Sequence, residues 1–377
     1  MSGAGKKWRN LVCEWTPEEI RNGRRTAGDD AALEFRQRLH RNCRTFEFAP
    51  RRQEESCLMN GMLHFRRILV QSFMVAGTVA IAALRTTAAQ TPPAARSISD
   101  RTQVVVLGTG TPLADPDRSG PAVAVIAGGQ AYLVDCGPGV VRRAAAAEKN
   151  GIKELAVARL KIVFITHLHS DHTLGYPDLI FTPWVLDRTD PLEAYGPRGL
   201  RRMTEHIEKA WAEDIRLRLH GLEEANTTGY RVNVHEVDAG VVYRDDNVTV
   251  TAFPVKHGTW KYAYGYRFDT KDRRIVISGD TAPTEEVVRA CDGCDVLLHE
   301  VFNPKRKKIV ESKQKQAYFR VFHTSPTELG DIATRARPKL LVLYHQVMGE
   351  TTEEDLVQQV REHYAGKFVS AKDLGVY

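Results

Sequence analysis

Short runs of aliphatic and β-branched residues, each ended by Gly, Pro or Asp, recur from residue 103 towards the end of the chain. Runs of this kind predict nine β-strands, over Val104–Leu107, Val123–Ile126, Tyr132–Val134, Ile162–Ile165, Val248–Phe253, Tyr262–Phe268, Ile275–Ser278, Val296–Leu298 and Leu340–Leu343. Between them, apolar residues at helical spacing predict helices over Val140–Lys149, Leu200–Asp214, Thr284–Ala290, Pro326–Arg335 and Glu353–Tyr364. The early strands follow one another closely and the later ones alternate with helices, which favours two packed sheets with helices outside.

The first hundred residues lack this pattern and divide into two regions. Residues 1–61 are rich in Arg and Glu and have few regular apolar positions, as in a charged extension or a disordered arm. Residues 62–90 have a basic start, an apolar stretch over 68–84 and small residues at Thr87 and Ala89, which is the organisation of a signal peptide. The apolar stretch is shorter than the ~20 residues that a membrane span needs.

A signal peptide belongs at the start of a protein, so we expect translation to begin at Met59 or Met62 and residues 1–58 to be a start-site artefact. The protein would then be exported, for example to the periplasm. The alternative is that the segment forms an internal buried helix, in which case the protein stays in the cytoplasm. Residues 91–102 predict a linker, and residues 103–377 predict one folded domain.

Composition changes this picture little. The formal net charge of +6 is mild for 377 residues, and it tolerates an anionic substrate without requiring one. Six cysteines are too few for a disulfide scaffold. Cys291 and Cys294 have the spacing of a redox pair or of half a zinc knuckle, but no second pair accompanies them. A turn before the next strand is the simpler interpretation.

A dense group of metal-binding side chains follows the strand over 162–165. His167 and His169 are two residues apart in an extended segment, so both side chains point the same way and can bind one ion together. The chain then turns, which lets Asp171 and His172 face a second ion. Imidazole nitrogen and carboxylate oxygen are ligands that zinc prefers. The segment therefore predicts a metal site.

Three further candidate ligands each follow a predicted strand: His257, Asp280 and His345. A single His or Asp in such a place is usually an exposed or hydrogen-bonded residue at the strand end. Three of them at the carboxyl ends of strands are consistent with one rim, where functional loops gather.

Together these motifs resemble the metallo-β-lactamase superfamily, and within it the ribonuclease Z group, over about residues 103–377. Besides the His167 to His172 run, the resemblance rests on Val104-Val-Val-Leu-Gly-Thr-Gly-Thr-Pro, Leu133-Val-Asp-Cys-Gly-Pro-Gly, Tyr195-Gly-Pro-Arg-Gly, Tyr264-Gly-Tyr, Ser278-Gly-Asp-Thr, Leu298-His-Glu and His323-Thr-Ser. It implies an α/β fold of four layers, the αββα sandwich.

The resemblance also implies a ligand set for two zinc ions, with Mn²⁺ or Fe²⁺ as other metals that such a site accepts. His167, His169 and His257 would hold one ion, and Asp171, His172 and His345 would hold the other. Asp280 would bridge the two ions. Asp135 would not bind metal but would steady the ligand loop.

Two positions distinguish the ribonuclease Z group from lactamases and glyoxalases. Glu300 and His323 match a pair that helps the leaving group depart, and a carboxylate that orients an imidazole is a sound acid–base arrangement. The resemblance thus implies that Asp171, Glu300 and His323 take part in catalysis. The alternative is structural: Glu300 would cap a loop, and His323 would cap the helix that begins near Pro326.

The chain also departs from the ribonuclease Z pattern. It has Gly137-Pro138-Gly139 where that group usually has Gly-Glu-Gly. The Gly/Pro-rich and Lys-rich arm with which those enzymes grip transfer RNA is not found, and residues 199–255 instead predict a helix and hairpin-like strands. An exported enzyme would also not meet transfer-RNA precursors.

The resemblance implies a hydrolase in which two metals share a hydroxide that attacks an anionic ester substrate, with a phosphodiester such as RNA as the first choice. An exported hydrolase of another ester, such as an aryl sulfate or a lactone, is the first alternative. A di-metal oxidoreductase or a metal-binding module is the second, although di-iron relatives commonly carry Glu where this chain has His169. No stable protein partner is implied, and a homodimer is left open.

Overall fold

Two seven-stranded sheets contain every strand of the computed structural model, which describes residues 101–377. The charged extension, the predicted signal peptide and most of the predicted linker lie outside the described residues. Within residues 101–377, no helix combines the length and the apolar character needed to cross a membrane.

The first sheet has the strand order β14-β1-β2-β3-β4-β5-β6. Its strands are β1 Gln103–Gly108, β2 Ala122–Ala127, β3 Gln130–Val134, β4 Ile162–Phe164, β5 Leu192–Gly196, β6 Val232–Glu236 and β14 Gly375–Val376. The strands from β14 to β3 are antiparallel, whereas those from β3 to β6 run parallel.

The second sheet has the order β13-β12-β11-β10-β9-β8-β7. Its strands are β7 Gly240–Arg244, β8 Val248–Pro254, β9 Tyr264–Thr270, β10 Arg274–Ile277, β11 Val296–Phe302, β12 Leu341–Val347 and β13 Phe368–Ser370. Strands β7 to β10 are antiparallel, and β10 to β13 run parallel.

Ten α-helices and two short 3₁₀ turns connect the strands in the described part of the chain. The helices are α1 Val140–Lys149, α2 Ser170–Thr173, α3 Tyr176–Val185, α4 Leu200–Ala210, α5 Ala212–His220, α6 Glu285–Cys291, α7 Lys307–Val310, α8 Lys313–Phe322, α9 Pro326–Ala336 and α10 Glu353–His363. The 3₁₀ turns cover Lys153–Leu155 and Val157–Arg159.

The central strands of each sheet are buried on both faces, which explains their nearly continuous apolar character. Alternate residues of a strand point to opposite faces, so Val104 and Val106 of β1 lie in the core between the two sheets. Val105 and Leu107 lie in the core that the first sheet forms with its helices. Burial of each such side chain contributes about 1.5–3 kcal/mol. The layers are therefore helix, sheet, sheet and helix, and the predicted αββα sandwich is confirmed.

The helix predicted over Leu200–Asp214 is wrong in its extent. The structure has two helices, α4 and α5, separated at Trp211, which has φ −99° and ψ 12°. The charges explain the break. Lys209 lies in the last turn of α4, while Glu213 and Asp214 lie in the first turn of α5. Each charge favours the helix terminus beside it.

The hairpin-like strands predicted within residues 199–255 are only partly present. Strand β6 pairs in parallel with β5 in the first sheet, so β6 and β7 do not form a hairpin. The chain crosses between the sheets before Gly240, which has a φ of 130° that favours glycine. Strands β7 and β8 do form an antiparallel hairpin.

Cys291 and Cys294 form a disulfide in the turn between α6 and β11. Asp292 and Gly293 provide the turn, with φ values of 36° and 78°. Both sulfur-bearing residues are buried. The interpretation as a turn is confirmed, and the pair is also oxidised, which the spacing alone did not decide. Among the described residues, Cys136 is a free, buried thiol.

Candidate metal centre

The polar residues of the centre follow parallel strands at one edge of the two sheets. In the first sheet, Asp135 directly follows β3 and His167 lies just after β4. In the second sheet, Asp280 lies just after β10, and His345 lies near the end of β12. Because parallel strands bring their carboxyl ends to a common edge, residues far apart in sequence meet there.

The first ligand group consists of His167, His169, His257 and Asp280. Nδ1 of His169 lies 2.9 Å from Nε2 of His167 and 3.0 Å from Nε2 of His257. Oδ2 of Asp280 lies 3.9 Å from the same atom of His257. Nitrogen and oxygen atoms this close to one another can all reach one cation.

The second ligand group consists of Asp171, His172 and His345. Oδ2 of Asp171 lies 3.3 Å from Nε2 of His345 and 3.6 Å from Nε2 of His172. All three residues are buried. The structure therefore brings together all seven residues that the sequence singles out as metal ligands, in two groups.

Asp280 faces both groups. Its Oδ2 atom points to His257 of the first group. Its Oδ1 atom lies 3.3 Å from Nε2 of His172 and 3.5 Å from Nε2 of His345, both in the second group. One carboxylate thus offers an oxygen to each group, as a bridging ligand requires.

Hydrogen bonds at the opposite ring nitrogens fix three of the imidazoles. Nδ1 of His167 lies 3.0 Å from Oγ1 of Thr166, and Nδ1 of His172 lies 2.8 Å from Oδ2 of Asp135. Nδ1 of His257 lies 2.8 Å from the carbonyl oxygen of Phe322. A ligand histidine usually donates its other N–H in this way, which fixes its tautomer and leaves the facing nitrogen free to bind metal.

Asp135 joins the ligand loop to the end of β3. Besides His172, it accepts hydrogen bonds from the backbone N–H of Thr166 at 2.8 Å and from the Thr166 hydroxyl. Its backbone has a φ of 59°, in the left-handed region that non-glycine residues seldom adopt. Its contacts match the steadying role that the resemblance implies.

A β-bulge aims His345 into the centre. The register between β11 and β12 shifts so that Tyr344 and His345 together face Glu300. His345 has a φ of 46°, which is also in the left-handed region. Bulges beside active sites commonly redirect a side chain in this way, and backbone strain is concentrated at such sites.

Burial and charge favour the protonation states that bind metal in the first group. Burial lowers the pKa of His167 well below its ordinary value and lowers that of His257 to about 4. Both rings are therefore neutral near pH 7. Burial opposes ionisation of Asp280, but the charges of His345 and His172 outweigh it and hold the pKa well below its ordinary value.

In the second group, the carboxylates dominate the electrostatics. Burial opposes protonation of His172 and His345, yet the negative charge of Asp280 raises the pKa of both. A field that retains protons on two buried imidazoles also attracts a cation, which would displace those protons.

Three buried atoms of the ligand groups lack a hydrogen-bond partner among the described residues: Nε2 of His172, Oδ1 of Asp280 and Nδ1 of His345. Unpaired buried polar atoms are costly, and the His172 and Asp280 atoms lie 3.3 Å apart. A cation bound between them would satisfy both. The side chains present therefore fit a pair of divalent metal ions.

Glu300 and His323 form a separate pair beside the ligand groups. Nδ1 of His323 lies 3.2 Å from Oε1 of Glu300. The ring centroid of His323 lies 5.4 Å from that of His257 and 6.2 Å from that of His345. The pair is therefore close enough to act on a substrate held at the metals.

The structural alternative, in which Glu300 caps a loop and His323 caps the next helix, is wrong for His323 and right for Glu300. Ser325, not His323, caps α9, and it forms a capping box with Glu328. His323 instead ends α8. Glu300 does tie loops together, because its Oε1 atom accepts hydrogen bonds from the N–H groups of Thr281 and Thr324, both at 3.2 Å.

The sequence did not single out Trp260 or Phe322, which complete the surroundings of the first ligand group. The Trp260 indole N–H donates to Nε2 of His169 at 2.7 Å, and the Phe322 carbonyl oxygen accepts from His257. Trp260 lies three residues after a candidate ligand, which could have drawn attention to it. The role of a carbonyl group leaves no signal in the sequence.

Comparisons with known proteins agree with this geometry. A family model described as a β-lactamase superfamily domain matches residues 130–346. Ribonuclease Z of Mycobacterium bovis BCG Pasteur is 35% identical over 279 residues, which is 72% of this chain and 96% of that protein. Ribonuclease Z of Mycobacterium tuberculosis H37Rv is 34% identical over 279 residues, again 72% of this chain and 96% of that protein.

Solved structures show the same fold. The crystal structure of the short form of human tRNase Z matches with a TM-score of 0.55 and 25% identity, covering 73% of this chain and 98% of that one. A metallo-β-lactamase fold protein from Bacillus subtilis matches with a TM-score of 0.57 and 18% identity, covering 74% of this chain and all of that one.

Proposed function

This chain belongs to the β-lactamase superfamily and is a metal-dependent hydrolase related to ribonuclease Z, and we propose that it hydrolyses phosphodiester bonds in RNA with two zinc ions. The observation that carries the proposal is the Glu300–His323 pair beside two groups of metal-binding side chains. Curated relatives named ribonuclease Z support RNA as the substrate class.

Seven side chains would hold the ions. His167, His169 and His257 would bind one ion and Asp171, His172 and His345 the other, with Asp280 shared between them. When bound, two such ions lower the pKa of a water molecule and stabilise negative charge on the phosphoryl oxygens.

His323 donates the proton that the leaving alkoxide oxygen needs. Its Nδ1 atom faces Glu300, so Nε2 is the atom left to face the substrate. Glu300 fixes the orientation of the ring through this hydrogen bond. After the transfer, the neutral ring keeps the proton on Nδ1, hydrogen-bonded to Glu300, and the P–O bond to the leaving group has broken.

Glu300 can hold this orientation because its own position is fixed. It is buried, and its Oε1 atom accepts from two backbone N–H groups as well as from His323. Burial raises the pKa of Glu300, and the charge of His323 opposes that rise. His323 is thus a neighbour whose charge favours the ionised form of Glu300.

The test is a substrate panel with the full chain loaded with zinc. The panel contains bis(p-nitrophenyl) phosphate, p-nitrophenyl sulfate, a lactone and a transfer-RNA precursor with a 3′ extension. We expect hydrolysis of the phosphodiester and endonucleolytic cleavage of the precursor, both abolished in the His169→Ala protein. Hydrolysis of only the sulfate or the lactone would overturn the proposal and favour the other esters.

A further inference from the structure

A strongly basic segment lies between Glu300 and His323. Residues 305–320, which we call the basic segment, contain seven Lys and Arg residues and one acidic residue, a formal charge of +6. The whole chain of 377 residues also has a formal net charge of +6. The excess positive charge of the protein is therefore equal to the charge of this one segment, which includes α7 and most of α8.

Most of this charge is exposed and unpaired. Six of the seven basic side chains are exposed; Arg306 is the buried one. Arg306 pairs with Glu350, and Lys307 pairs with Glu311 of the same segment. The remaining five have no ion pair with an acidic side chain of the described residues: Lys305, Lys308, Lys313, Lys315 and Arg320. Such a surface attracts polyanions.

A row of aromatic rings leads from the metal centre to this surface. The Phe322 ring packs edge-on against His257, with centroids 5.0 Å apart. Tyr318 stacks on Phe322, with centroids 4.3 Å apart and an interplanar angle of 19°. Tyr318 is 40% exposed. Its ring is therefore partly open to solvent, with the Nζ atom of Lys315 5.8 Å from its centroid, and it lies two rings away from a candidate metal ligand.

Backbone contacts hold the end of α8, which directly follows the basic segment, against the loop that carries His257. The N–H of Gly258 donates to the carbonyl oxygen of Val321 at 2.8 Å, beside the bond from His257 to Phe322. A Cβ atom at Gly258 would lie 2.0 Å from the Phe322 ring. Only glycine permits this approach, so the position of α8 relative to the metal centre is set by close packing.

We propose that the basic segment binds the RNA substrate beside the scissile bond. Its lysine and arginine side chains contact backbone phosphates, and Tyr318 stacks on a base of the same strand. The inference rests on the proposed function, because it identifies how the same active site holds an RNA chain. It supplies a binding element where residues 199–255 contain no Gly/Pro-rich and Lys-rich arm.

The structure favours RNA over an anionic membrane as the partner. The exposed ring adjoins the catalytic pair, since the Tyr318 and His323 centroids are 6.4 Å apart. Stacking on an exposed aromatic ring next to basic side chains is the usual way to bind single strands. Val310 and Val321 are also exposed, but α8 has only ten residues, among them polar ones such as Gln314 and Gln316.

The test compares two triple variants of the full chain. Lys308→Gln, Lys313→Gln and Lys315→Gln together remove three charges from the basic segment. The control, Lys149→Gln, Lys153→Gln and Lys271→Gln, also removes three exposed charges. These three lysines lie at the ends of the layers that face away from the candidate metal centre. Lys149 ends α1, which starts near the centre, and Lys271 lies in the turn before β10, which ends at the centre.

Binding is measured with a fluorescein-labelled oligouridylate of about 12 nucleotides in the presence of a chelator, so that no cleavage occurs. The slope of log affinity against log salt changes by about 0.7 for each phosphate contact to a single strand. We expect the first variant to lose about 2 from this slope and the control to lose none. Equal slopes for wild type and first variant would overturn the inference.

Tyr318→Ala and Tyr318→Phe test the stacking. Loss of the ring should weaken oligouridylate binding on the order of ten-fold, whereas Tyr318→Phe keeps the ring and should bind like wild type. Equal affinity of all three proteins would contradict a stacking role. Binding to phosphatidylserine vesicles is measured in parallel, because an anionic membrane is the alternative partner. Binding to vesicles with no binding to RNA would overturn the inference in favour of a membrane surface.

The two proposals fail in different ways. If no zinc-loaded protein cleaves a phosphodiester, the proposed function is wrong, whatever the binding data show. If the basic-segment variant cleaves bis(p-nitrophenyl) phosphate normally and also binds and cleaves RNA like wild type, the proposed function stands and the inference is wrong. We expect normal cleavage of the small diester together with weakened binding and cleavage of RNA.

Discussion

Nδ1 of His323 lies 3.2 Å from Oε1 of Glu300, and neither side chain belongs to the two groups that could hold metal. In the proposed mechanism, metal binding therefore falls to one set of residues and proton transfer to another. Variants of the pair and variants of the ligands should consequently have different effects.

His323→Ala should slow hydrolysis of a phosphodiester that has a poor alkoxide leaving group by about 10²- to 10⁴-fold, the usual contribution of general acid catalysis. The loss should be much smaller for a nitrophenyl ester, because a nitrophenolate leaves without a proton. Metal content should stay unchanged. Steady-state kinetics with both substrates, together with elemental analysis, check the prediction.

Ser325→Ala is the matched control, because Ser325 caps α9 two residues away. Loss of a cap costs about 0.5–2 kcal/mol of stability and should lower the rates with both substrates alike. If His323→Ala also lowered both rates equally, its role would be structural. A loss of metal in that variant would mean that the ligand set is wrong.

The metal content itself is the second prediction. With Asp280 facing both groups, the full chain should bind about two zinc equivalents, and His169→Ala should retain about one. In the His169→Ala protein, hydrolysis should be lost while the far-ultraviolet circular dichroism stays unchanged, because His169 is only partly buried and lies outside the strands. An active wild-type preparation with a single metal per chain would contradict the two-ion mechanism.

Asp135→Asn tests the proposed role of Asp135, which is to orient a candidate ligand without binding metal. The amide keeps the size of the carboxylate but loses its charge beside His172 and Thr166. Replacement of such partners typically costs 10- to 100-fold in metal affinity. We expect a loss of that size for one of the two zinc equivalents, measured by competition with a chromogenic chelator.

Asp373→Asn is the control for this variant. Asp373 likewise accepts hydrogen bonds from loop residues, Thr109 and Ser119, but contacts no ligand. It should lower thermal stability without changing zinc affinity. Equal zinc affinities for the Asp135→Asn and wild-type proteins would show that the hydrogen bond to His172 does not tune the metal.

The grouping of the candidate ligands could be predicted from the sequence because each follows or ends an apolar strand. Parallel strands bring their carboxyl ends together, so His167, Asp280 and His345 were expected at one rim. The sequence could not show that a bulge and a φ of 46° turn His345 inward, because the bulge depends on pairing between β11 and β12. Pairing between distant segments leaves no local pattern.

Several elements were missed for identifiable reasons. Helix α3 contains Pro183 and is apolar on most of its faces, so it shows no amphipathic period. Strand β6 is partly exposed and carries polar residues, among them Asn233 and His235, and β14 has only two residues. Helix α8 has no buried residue, so the pattern of buried apolar positions that marks a helix is absent.

The last prediction concerns His299, a buried histidine outside both ligand groups. Its Nδ1 atom lies 2.7 Å from the carbonyl oxygen of Glu300, and its Nε2 atom has no hydrogen-bond partner among the described residues. Burial lowers the pKa of His299 to about 4. The ring is therefore neutral in the folded protein over a range in which an unfolded chain would take up a proton.

This difference makes stability depend on pH in a defined direction. Above the ordinary pKa of about 6.5, the ring is neutral in both states and contributes no pH dependence. As the pH falls from about 6.5 to about 4, the unfolded chain binds a proton that the folded chain does not, so the free energy of unfolding decreases. At about 1.4 kcal/mol for each pH unit, His299 accounts for a loss of roughly 3 kcal/mol by pH 4.

His299→Gln removes the titration and keeps an uncharged polar side chain at this position. Urea unfolding with a chelator present, at intervals from pH 7.5 to pH 4, should give a free-energy curve that is flatter than that of wild type by roughly 3 kcal/mol. The exposed His220 provides the control, and His220→Gln should reproduce the wild-type curve. If the His299→Gln and wild-type curves ran parallel, the ring would be taking up its proton inside the folded protein, and the strand end that carries Glu300 would be open to water.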